Sequence, residues 1–331
     1  MRAPRISFIV PVLNDAQRLQ RCLRSIAATT TDPALIEVIV VDNNSRDNSA
    51  DVARSQGARV VTLALDSVAE LRNAGAADAS GEILAFVDAD HEISTEWTSA
   101  VVDTLRDPAV AAAGALCDAP ADGTWVQHAY GALRGTPRGR HDVEWLGSGN
   151  LAVKRQAFRQ CGGFDASLTT CEDVDLCHRL RAGGYRIVSD ARMRSVHFGD
   201  PATLRDVVKG ELWRGRDNLR VSLRGELSWR ALPSVLLPII DAACLLLAAV
   251  AILFGLAGSR AALGIAIVSL AAIAAGATLR PARMAVRERR FHGVSILQAW
   301  IVSCAYDAGR ALALLMRAQH RAGEARAVTV P

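Results

Sequence analysis

The first ninety residues alternate continuous apolar runs with amphipathic stretches. The apolar runs predict strands over residues 6–12, 36–41, 59–63 and 83–87. Between them, hydrophobic positions recur at helical spacing and predict helices over residues 15–27, 47–56 and 67–79. Strands that are apolar throughout, rather than alternating, are buried on both faces. The pattern therefore predicts an α/β fold, with a mostly parallel sheet flanked by helices.

The pattern changes near residue 234. Residues 235–257 are almost wholly apolar, and residues 261–279 carry no charge. Each stretch is long enough to cross about 30 Å of hydrocarbon, and the short loop between them predicts a helical hairpin. Arginines crowd both outer ends, which places both ends and the N-terminal domain on the cytoplasmic side by the positive-inside rule. Two buried core helices in a soluble domain are the alternative.

A third stretch, residues 294–317, has an apolar face that includes Trp300 and an opposite polar face that includes Asp307. This pattern predicts an amphipathic helix in the membrane interface, with a third span as the alternative. We therefore expect an α/β domain over residues 1–225 and a membrane region over residues 226–331. The expected location is the inner (cytoplasmic) membrane, with membrane lipids as partners.

Charge and cysteine content exclude several classes of protein. The net charge of +4 is too small to indicate a nucleic-acid partner. The chain has seven cysteines, an odd number, and none of them forms a CxxC pair or matches a zinc-site spacing. This favours free thiols in a reducing compartment. No phosphate-loop, HExxH or nucleophile-elbow pattern occurs.

The clearest chemical signal is Asp88-Ala89-Asp90, directly after the fourth predicted strand. Residues i and i+2 of an extended chain point the same way, so the two carboxylates converge at the carboxyl end of a strand. Hard oxygen ligands suit Mg²⁺ or Mn²⁺. A pair of solvated aspartates is the alternative.

Further candidates come from other parts of the chain. Asp42 ends the second predicted strand and is suited to accept hydrogen bonds from a nucleobase or ribose. Arg72 lies within the third helix and is suited to bind a diphosphate or stack on a base. Asp173 begins a predicted helix and is a candidate general base, although acidic residues in a first turn often only favour the helix dipole. His197 follows a strand-like segment and is a candidate third metal ligand or a structural histidine.

Together these segments resemble family 2 glycosyltransferases with a GT-A fold. The similar stretches are PVLNDAQRLQRCLRSI, VIVVDNNSRDNSADVA, LRNAGAADASGEILAFVDAD and GNLAVKRQAFRQCGGFDASLTTCEDVDLCHRLRAGGYRI, in the expected order over residues 6–198. The resemblance implies a nucleoside-diphosphate sugar as donor, a glycan or lipid-linked acceptor and inversion at the anomeric carbon.

The resemblance also implies roles for particular residues. The nucleotide site would be lined by Pro11, Asp42, Arg72 and Asp88. The metal site would be formed by Asp90 and His197, with Asp88 beside them. Asp173 would be the base, and Glu172 would orient the donor sugar or the acceptor.

The chain departs from processive members of the family. Their C-terminal Q-x-x-R-W signature is absent, and Glu211-Leu212-Trp213-Arg214-Gly215-Arg216 stands in the comparable region. This favours transfer of one sugar per binding event. The alternative functions are a polyprenyl-phosphate glycosyltransferase, then a sugar nucleotidyltransferase, then a non-catalytic binding module.

Overall fold

The computed structural model describes residues 6–30, 32–136, 138–224, 232–287 and 294–327. The chain forms two compact units, one made of Met1–Ala121 with Gly135–Asp200 and the other of Asp122–Arg134 with Pro201–Pro331. The expected boundary near residue 225 lies outside the described residues. The first unit contains the strands, and the described part of the second is helical.

The elements follow in chain order. The strands are β1 (Ile6–Val12), β2 (Ile36–Asp42), β3 (Arg59–Thr62), β4 (Ile83–Val87), β5 (His91–Ile93), β6 (Val110–Gly114), β7 (Cys117–Asp118), β8 (Arg140–Val143), β9 (Asn150–Lys154), β10 (Arg186–Asp190) and β11 (Ser195–His197). The helices are α1 (Ala16–Ala27), α2 (Ser49–Ser55), α3 (Val68–Asp78), α4 (Trp97–Thr104), α5 (Trp125–Arg134), α6 (Arg155–Gln160), α7 (Glu172–Ala182), α8 (Leu204–Arg214), α9 (Asn218–Ser222), α10 (Leu232–Leu256), α11 (Arg260–Gly276), α12 (Leu279–Arg287) and α13 (Ile296–Ala327).

An eight-stranded sheet in the order β3-β2-β1-β4-β9-β6-β10-β8 forms the centre of the first unit. The pairs among β1, β2, β3 and β4 are parallel, as predicted from their continuous apolar sequences. Strand β9 runs antiparallel between β4 and β6, and β8 runs antiparallel at the edge. The predicted α/β class, with a largely parallel sheet, is therefore confirmed.

Two strand pairings bring distant residues to the end of β4. The β4–β9 register pairs Val87 with Asn150, so that the turn before β9 runs beside Asp88, whose N–H donates to Gly149 O at 3.2 Å. A small second sheet, β5-β11-β7, pairs His91 with His197. Both pairings converge on the segment that follows β4.

Helix α3 is fixed against the sheet at two points. Ser67 and Glu70 form a reciprocal capping box at its start. Gly75 lies so close to the sheet that an added Cβ would come within 2.5 Å of Ile9 Cγ2 and 2.9 Å of Val41 Cγ2. Glycine permits this close packing, and the packing holds Arg72, one turn earlier, in a defined position.

In the second unit, α8 and α13 pack closely around a buried acid. An added Cβ at Gly215 would come within 2.5 Å of Ala313 Cβ, so the glycine allows the helices to approach. Glu211 is fully buried and accepts hydrogen bonds from Tyr130 (2.7 Å), Arg214 (3.1 Å) and Arg310 (2.7 Å). Several charge-assisted partners compensate the cost of burying this carboxylate.

Three helices in the described part of the chain are long and apolar enough to cross a membrane: Leu232–Leu256, Arg260–Val286 and Ile296–Met316. In the third, the polar residues Ser303 and Asp307 are buried, and Asp307 pairs with Arg280. Leu297, by contrast, is 63% exposed. Buried polar side chains beside exposed apolar ones are the arrangement expected where a helix contacts lipid.

Candidate active site

A buried arginine links two of the predicted acidic positions. Arg72 is 3% exposed and donates from Nη2 to Asp88 Oδ1 at 2.6 Å and from Nη1 to Glu172 Oε1 at 2.7 Å. The planar guanidinium suits two carboxylates at once. Arg72, predicted to face a diphosphate, therefore joins the end of β4 to the start of α7.

Asp173 lies beside this bridge. Its Oδ2 accepts a hydrogen bond from Ser148 N at 3.2 Å, and its Oδ1 accepts one from Val174 N at 2.8 Å. The residue is half-buried. Burial, followed by the negative charge of Glu172, raises the pKa of Asp173 to about 7. A carboxylate with a pKa near neutrality is suited to accept a proton.

The start of α7 has an unusual backbone. Cys171, which precedes the helix, adopts a left-handed conformation with φ of 62°. This conformation is unfavourable for a residue other than glycine and persists where surrounding contacts hold it. It turns the chain directly before Glu172 and Asp173.

A second group of side chains surrounds Asp90. Asp90 Oδ2 lies 3.2 Å from His197 Nε2, and His197 Nδ1 lies 2.7 Å from Oδ1 of the buried Asp200. Burial alone would raise the pKa of Asp90, but the hydrogen bond and charge of His197 hold it well below its usual range. Burial would lower the pKa of His197, but the hydrogen bonds to Asp200 and Asp90 raise it well above its ordinary value.

His91 joins this group. Its ring stacks on His197 with centroids 4.4 Å apart, and its Nδ1 lies 3.0 Å from Ser195 Oγ. Among the described residues, Asp90, His91 and His197 offer ligand atoms within 4.8 Å of one another. Sequence reasoning missed His91, although its position immediately after Asp88-Ala89-Asp90 was a usable signal. Asp88, which was also expected beside the metal, pairs with Arg72.

Two glycines leave space around these side chains. An added Cβ at Gly199 would overlap Asp90 Oδ2 and lie 2.8 Å from His197 Nε2. An added Cβ at Gly149 would lie 2.8 Å from Asp88 Oδ2 and 2.9 Å from His91 Nε2. The two glycines therefore leave the space beside Asp90 and Asp88 free of a side chain.

The predicted nucleotide-binding residues of the first strands lie further along the same sheet edge. Asp42 is 2% exposed and its Oδ1 accepts from Ser45 N at 3.2 Å. Pro11 is buried in β1, where it pairs with Val41. Pro11 and Asp42 lie diagonally across the β1–β2 pair, in which Asp42 is opposite Val12.

Comparison with models of protein families identifies the family to which these residues belong. Residues 7–161, which contain β1–β4, Asp88 and Asp90, match the model of glycosyl transferase family 2. The chain carries a glycosyltransferase family 2 domain over these residues. It is therefore a transferase enzyme.

Proteins with similar sequences include two that are named glycosyltransferases. The chain is 30% identical over 240 residues to the O-antigen biosynthesis protein RfbC of Myxococcus xanthus, covering 63% of the chain and 18% of that protein. It is 26% identical to glycosyltransferase AglE of Haloferax volcanii, covering 69% of the chain and 77% of that protein. It is 29% identical to the pre-mycofactocin glycosyltransferase of Mycobacterium tuberculosis, covering 55% of the chain and 40% of that protein.

Solved structures establish the fold. The mannosyltransferase PcManGT of Pyrobaculum calidifontis, in complex with GDP-Man and Mn²⁺, aligns with a TM-score of 0.57 at 20% identity, covering 93% of this chain and 88% of that one. GalNAc-T7 with UDP, GalNAc and Mn²⁺ aligns with a TM-score of 0.50 at 18% identity, covering 66% of this chain and 51% of that one. The glycosyltransferase thus has the predicted GT-A fold.

Proposed function

We propose that this glycosyltransferase inverts the anomeric centre, depends on a divalent cation, and uses Asp173 as the base toward a hydroxyl of a membrane-proximal glycan or lipid-linked acceptor. The observation that carries the proposal is the pairing of two sites. Asp173 has its pKa raised to about 7, while the nearby Asp90 group holds a carboxylate beside two histidines. One site accepts a proton, and the other faces a leaving diphosphate.

The chemical step follows from the position of Asp173. An acceptor hydroxyl within hydrogen-bond reach of its carboxylate gives up its proton as the oxygen attacks the anomeric carbon. The bond between that carbon and the diphosphate oxygen breaks, and the nucleoside diphosphate departs with the electron pair. A single displacement of this kind inverts the configuration.

Arg72 and Glu172 position the groups around this step. Arg72 fixes Glu172 Oε1, which also accepts from Ser148 Oγ at 3.2 Å. Ser148 N in turn binds Asp173. Glu172 thereby supports the base and lies where it can orient a sugar, while Pro11, Asp42 and Asp88 are proposed to line the donor nucleotide site.

The residues around Asp90 fit a divalent cation. One carboxylate and two imidazoles are suitable donors for Mn²⁺ or Mg²⁺, and Gly199 leaves open the space beside them. Asp90 and His197 would hold the ion, with His91 and Asp88 beside it. When bound, it would neutralise negative charge on the diphosphate. The Mn²⁺ in two structures of the same fold supports this assignment.

Asp200 positions His197 for this role, and replacing Asp200 with Asn is expected to weaken Mn²⁺ binding about 10- to 100-fold. The carboxylate accepts from Nδ1, which leaves Nε2 facing Asp90, and such outer partners strongly affect metal affinity. Isothermal titration with Mn²⁺ measures the change. Unchanged affinity would show that Asp200 serves folding alone.

The rate is expected to depend on the ionisation of Asp173. Because its pKa is raised, the base is protonated at lower pH. We expect the transfer rate at saturating Mn²⁺ and donor to fall about tenfold per pH unit below about pH 7 and to level above it. Glu172→Gln removes a charge that raises this pKa, so the inflection should move to lower pH. A profile that Glu172→Gln leaves unmoved would contradict the assignment.

The acceptor is proposed to be membrane-proximal because three helices of the chain are suited to cross a membrane. The arginines that flank the first two spans favour a cytoplasmic catalytic domain in the inner membrane, with lipids around the helices. Labelling of single cysteines placed at either end of α10 in intact and opened cells tests this orientation. Labelling of the α10 N-terminal site in intact cells would overturn it.

The anomeric configuration of the product tests the reaction itself. The protein is supplied with an α-linked nucleoside-diphosphate sugar and acceptor, and the product is examined by proton NMR. A β-linked product supports single displacement with Asp173 as base. An α-linked product would rule that mechanism out, and release of pyrophosphate from a nucleoside triphosphate would indicate nucleotidyl transfer instead.

A further inference from the structure

Trp145 stands out on the surface of the first unit. Its residue surface is 49% exposed, and the other large exposed hydrophobic residues among those described in this unit are Leu13 and Leu116. Of these three exposed residues, Trp145 is the aromatic one. An indole offers a broad, rigid apolar face with one hydrogen-bond donor, which is a surface suited to contact a partly apolar ligand.

The segment that carries Trp145 is fastened to the helix of the base. Leu146, the next residue, is 3% exposed, and its carbonyl oxygen lies 3.9 Å from Cys177 Sγ on α7. Ser148 then donates from its backbone N–H to Asp173 Oδ2 at 3.2 Å. Trp145 is therefore adjacent to a residue held against α7, the helix that begins with Glu172 and Asp173.

Trp145 also lies close to the base. A Cβ added to Gly147 would lie 3.7 Å from Asp173 Oδ2. Consecutive Cα atoms are about 3.8 Å apart, so the Cα of Trp145 lies within about 8 Å of that of Gly147. The backbone that carries the indole therefore lies within about 8 Å of Gly147, which itself borders the base.

The sheet order indicates which substrate Trp145 contacts. The segment runs from β8, at one edge of the sheet, to β9 beside β4. The proposed nucleotide residue Asp42 lies at the end of β2, on the opposite side of β4. At about 4.8 Å per strand, β2 and β9 are about 14 Å apart. The segment that carries Trp145 therefore leads away from Asp42, toward the β8 edge of the sheet.

We propose that Trp145 is an acceptor platform, on which the apolar C–H face of a saccharide unit stacks while a hydroxyl of that unit reaches Asp173. This rests on the proposed function and deepens it, because it makes the acceptor a sugar rather than a bare polyprenyl phosphate. The platform acts on acceptor binding, so donor hydrolysis by water does not need it.

The test compares Trp145→Leu with Trp145→Phe in detergent-purified full-length protein. Leucine keeps an apolar side chain but removes the aromatic face, and phenylalanine keeps that face. Nucleoside diphosphate release is measured first with donor alone and then with octyl glycosides of common hexoses, or with a polyprenyl phosphate. Thermal melting of each variant is recorded alongside.

We expect a glycoside to accelerate release by the parent protein. Trp145→Leu should raise the KM for that glycoside by about tenfold or more, and Trp145→Phe by less than about threefold. Donor hydrolysis and melting temperature should stay unchanged in both. Equal glycoside KM values in the parent and Trp145→Leu would overturn the platform, as would an acceleration seen only with the polyprenyl phosphate. Absence of any donor turnover by the parent protein would instead overturn the proposed function.

Discussion

Asp173→Asn is expected to reduce the rate of glycosyl transfer by about 10³-fold, because an amide cannot accept the acceptor proton. Asparagine has the same shape as aspartate, and its amide oxygen remains able to accept from Ser148 N or Val174 N. Folding and donor binding should therefore be retained. The measurement is the single-turnover rate of transfer with saturating donor and Mn²⁺, together with the donor dissociation constant.

Asp175→Asn is the matched control on the same helix. Asp175 is 4% exposed and pairs with Arg179 at 2.8 Å, so this variant also removes a buried carboxylate from α7. We expect it to lower stability while the folded protein keeps a transfer rate within a few-fold of the parent. A rate for Asp173→Asn that stays within about tenfold of the parent would show that Asp173 is not the base.

The second large effect is expected at a glycine. Gly199→Ala places a methyl group over Asp90 Oδ2 and 2.8 Å from His197 Nε2. The carboxylate must rotate away from His197 and then leaves the position from which it would hold a cation. Because ligand distances tolerate only about ±0.2 Å, we expect Mn²⁺ affinity to fall by more than about 100-fold, with transfer falling in parallel.

Gly147→Ala provides the comparison for this variant. Its added methyl group would make an ordinary contact, 3.7 Å from Asp173 Oδ2, and lies away from the Asp90 group. We expect its Mn²⁺ affinity, measured by calorimetry, and its melting temperature to equal those of the parent, and the Mn²⁺ affinity of Gly199→Ala is measured at a temperature where that variant is folded. Normal Mn²⁺ binding by Gly199→Ala would place the cation site elsewhere.

Much of the first half of the fold could be predicted from the sequence. The strands β1 and β4 were predicted with the bounds that the structure has, because buried parallel strands are continuous apolar runs. Strand β9 was visible only as a short apolar run, and its antiparallel insertion beside β4 was not predicted. Strands of three residues, such as β5 and β11, are too short to show a period.

The candidate site was predictable as a set of residues but not as a set of contacts. The order of the segments indicated Asp90, Asp173 and His197 through family resemblance. The contacts between Arg72 and Glu172, 100 residues apart, depend on how α3 and α7 pack, and no local pattern encodes them. Asp200 and Trp145 were missed for the same reason, since their roles follow from neighbours that tertiary folding supplies.

The most direct test measures nucleoside diphosphate released from a panel of UDP-, GDP- and dTDP-sugars by detergent-purified protein, with and without Mn²⁺ or Mg²⁺ and with membrane lipid extract as acceptor. Asp90→Asn and Asp173→Asn are run beside the parent protein. Our account predicts metal-dependent release from one donor, lost in both variants. Release that needs no metal and persists in either variant, or no release from any donor, would contradict it.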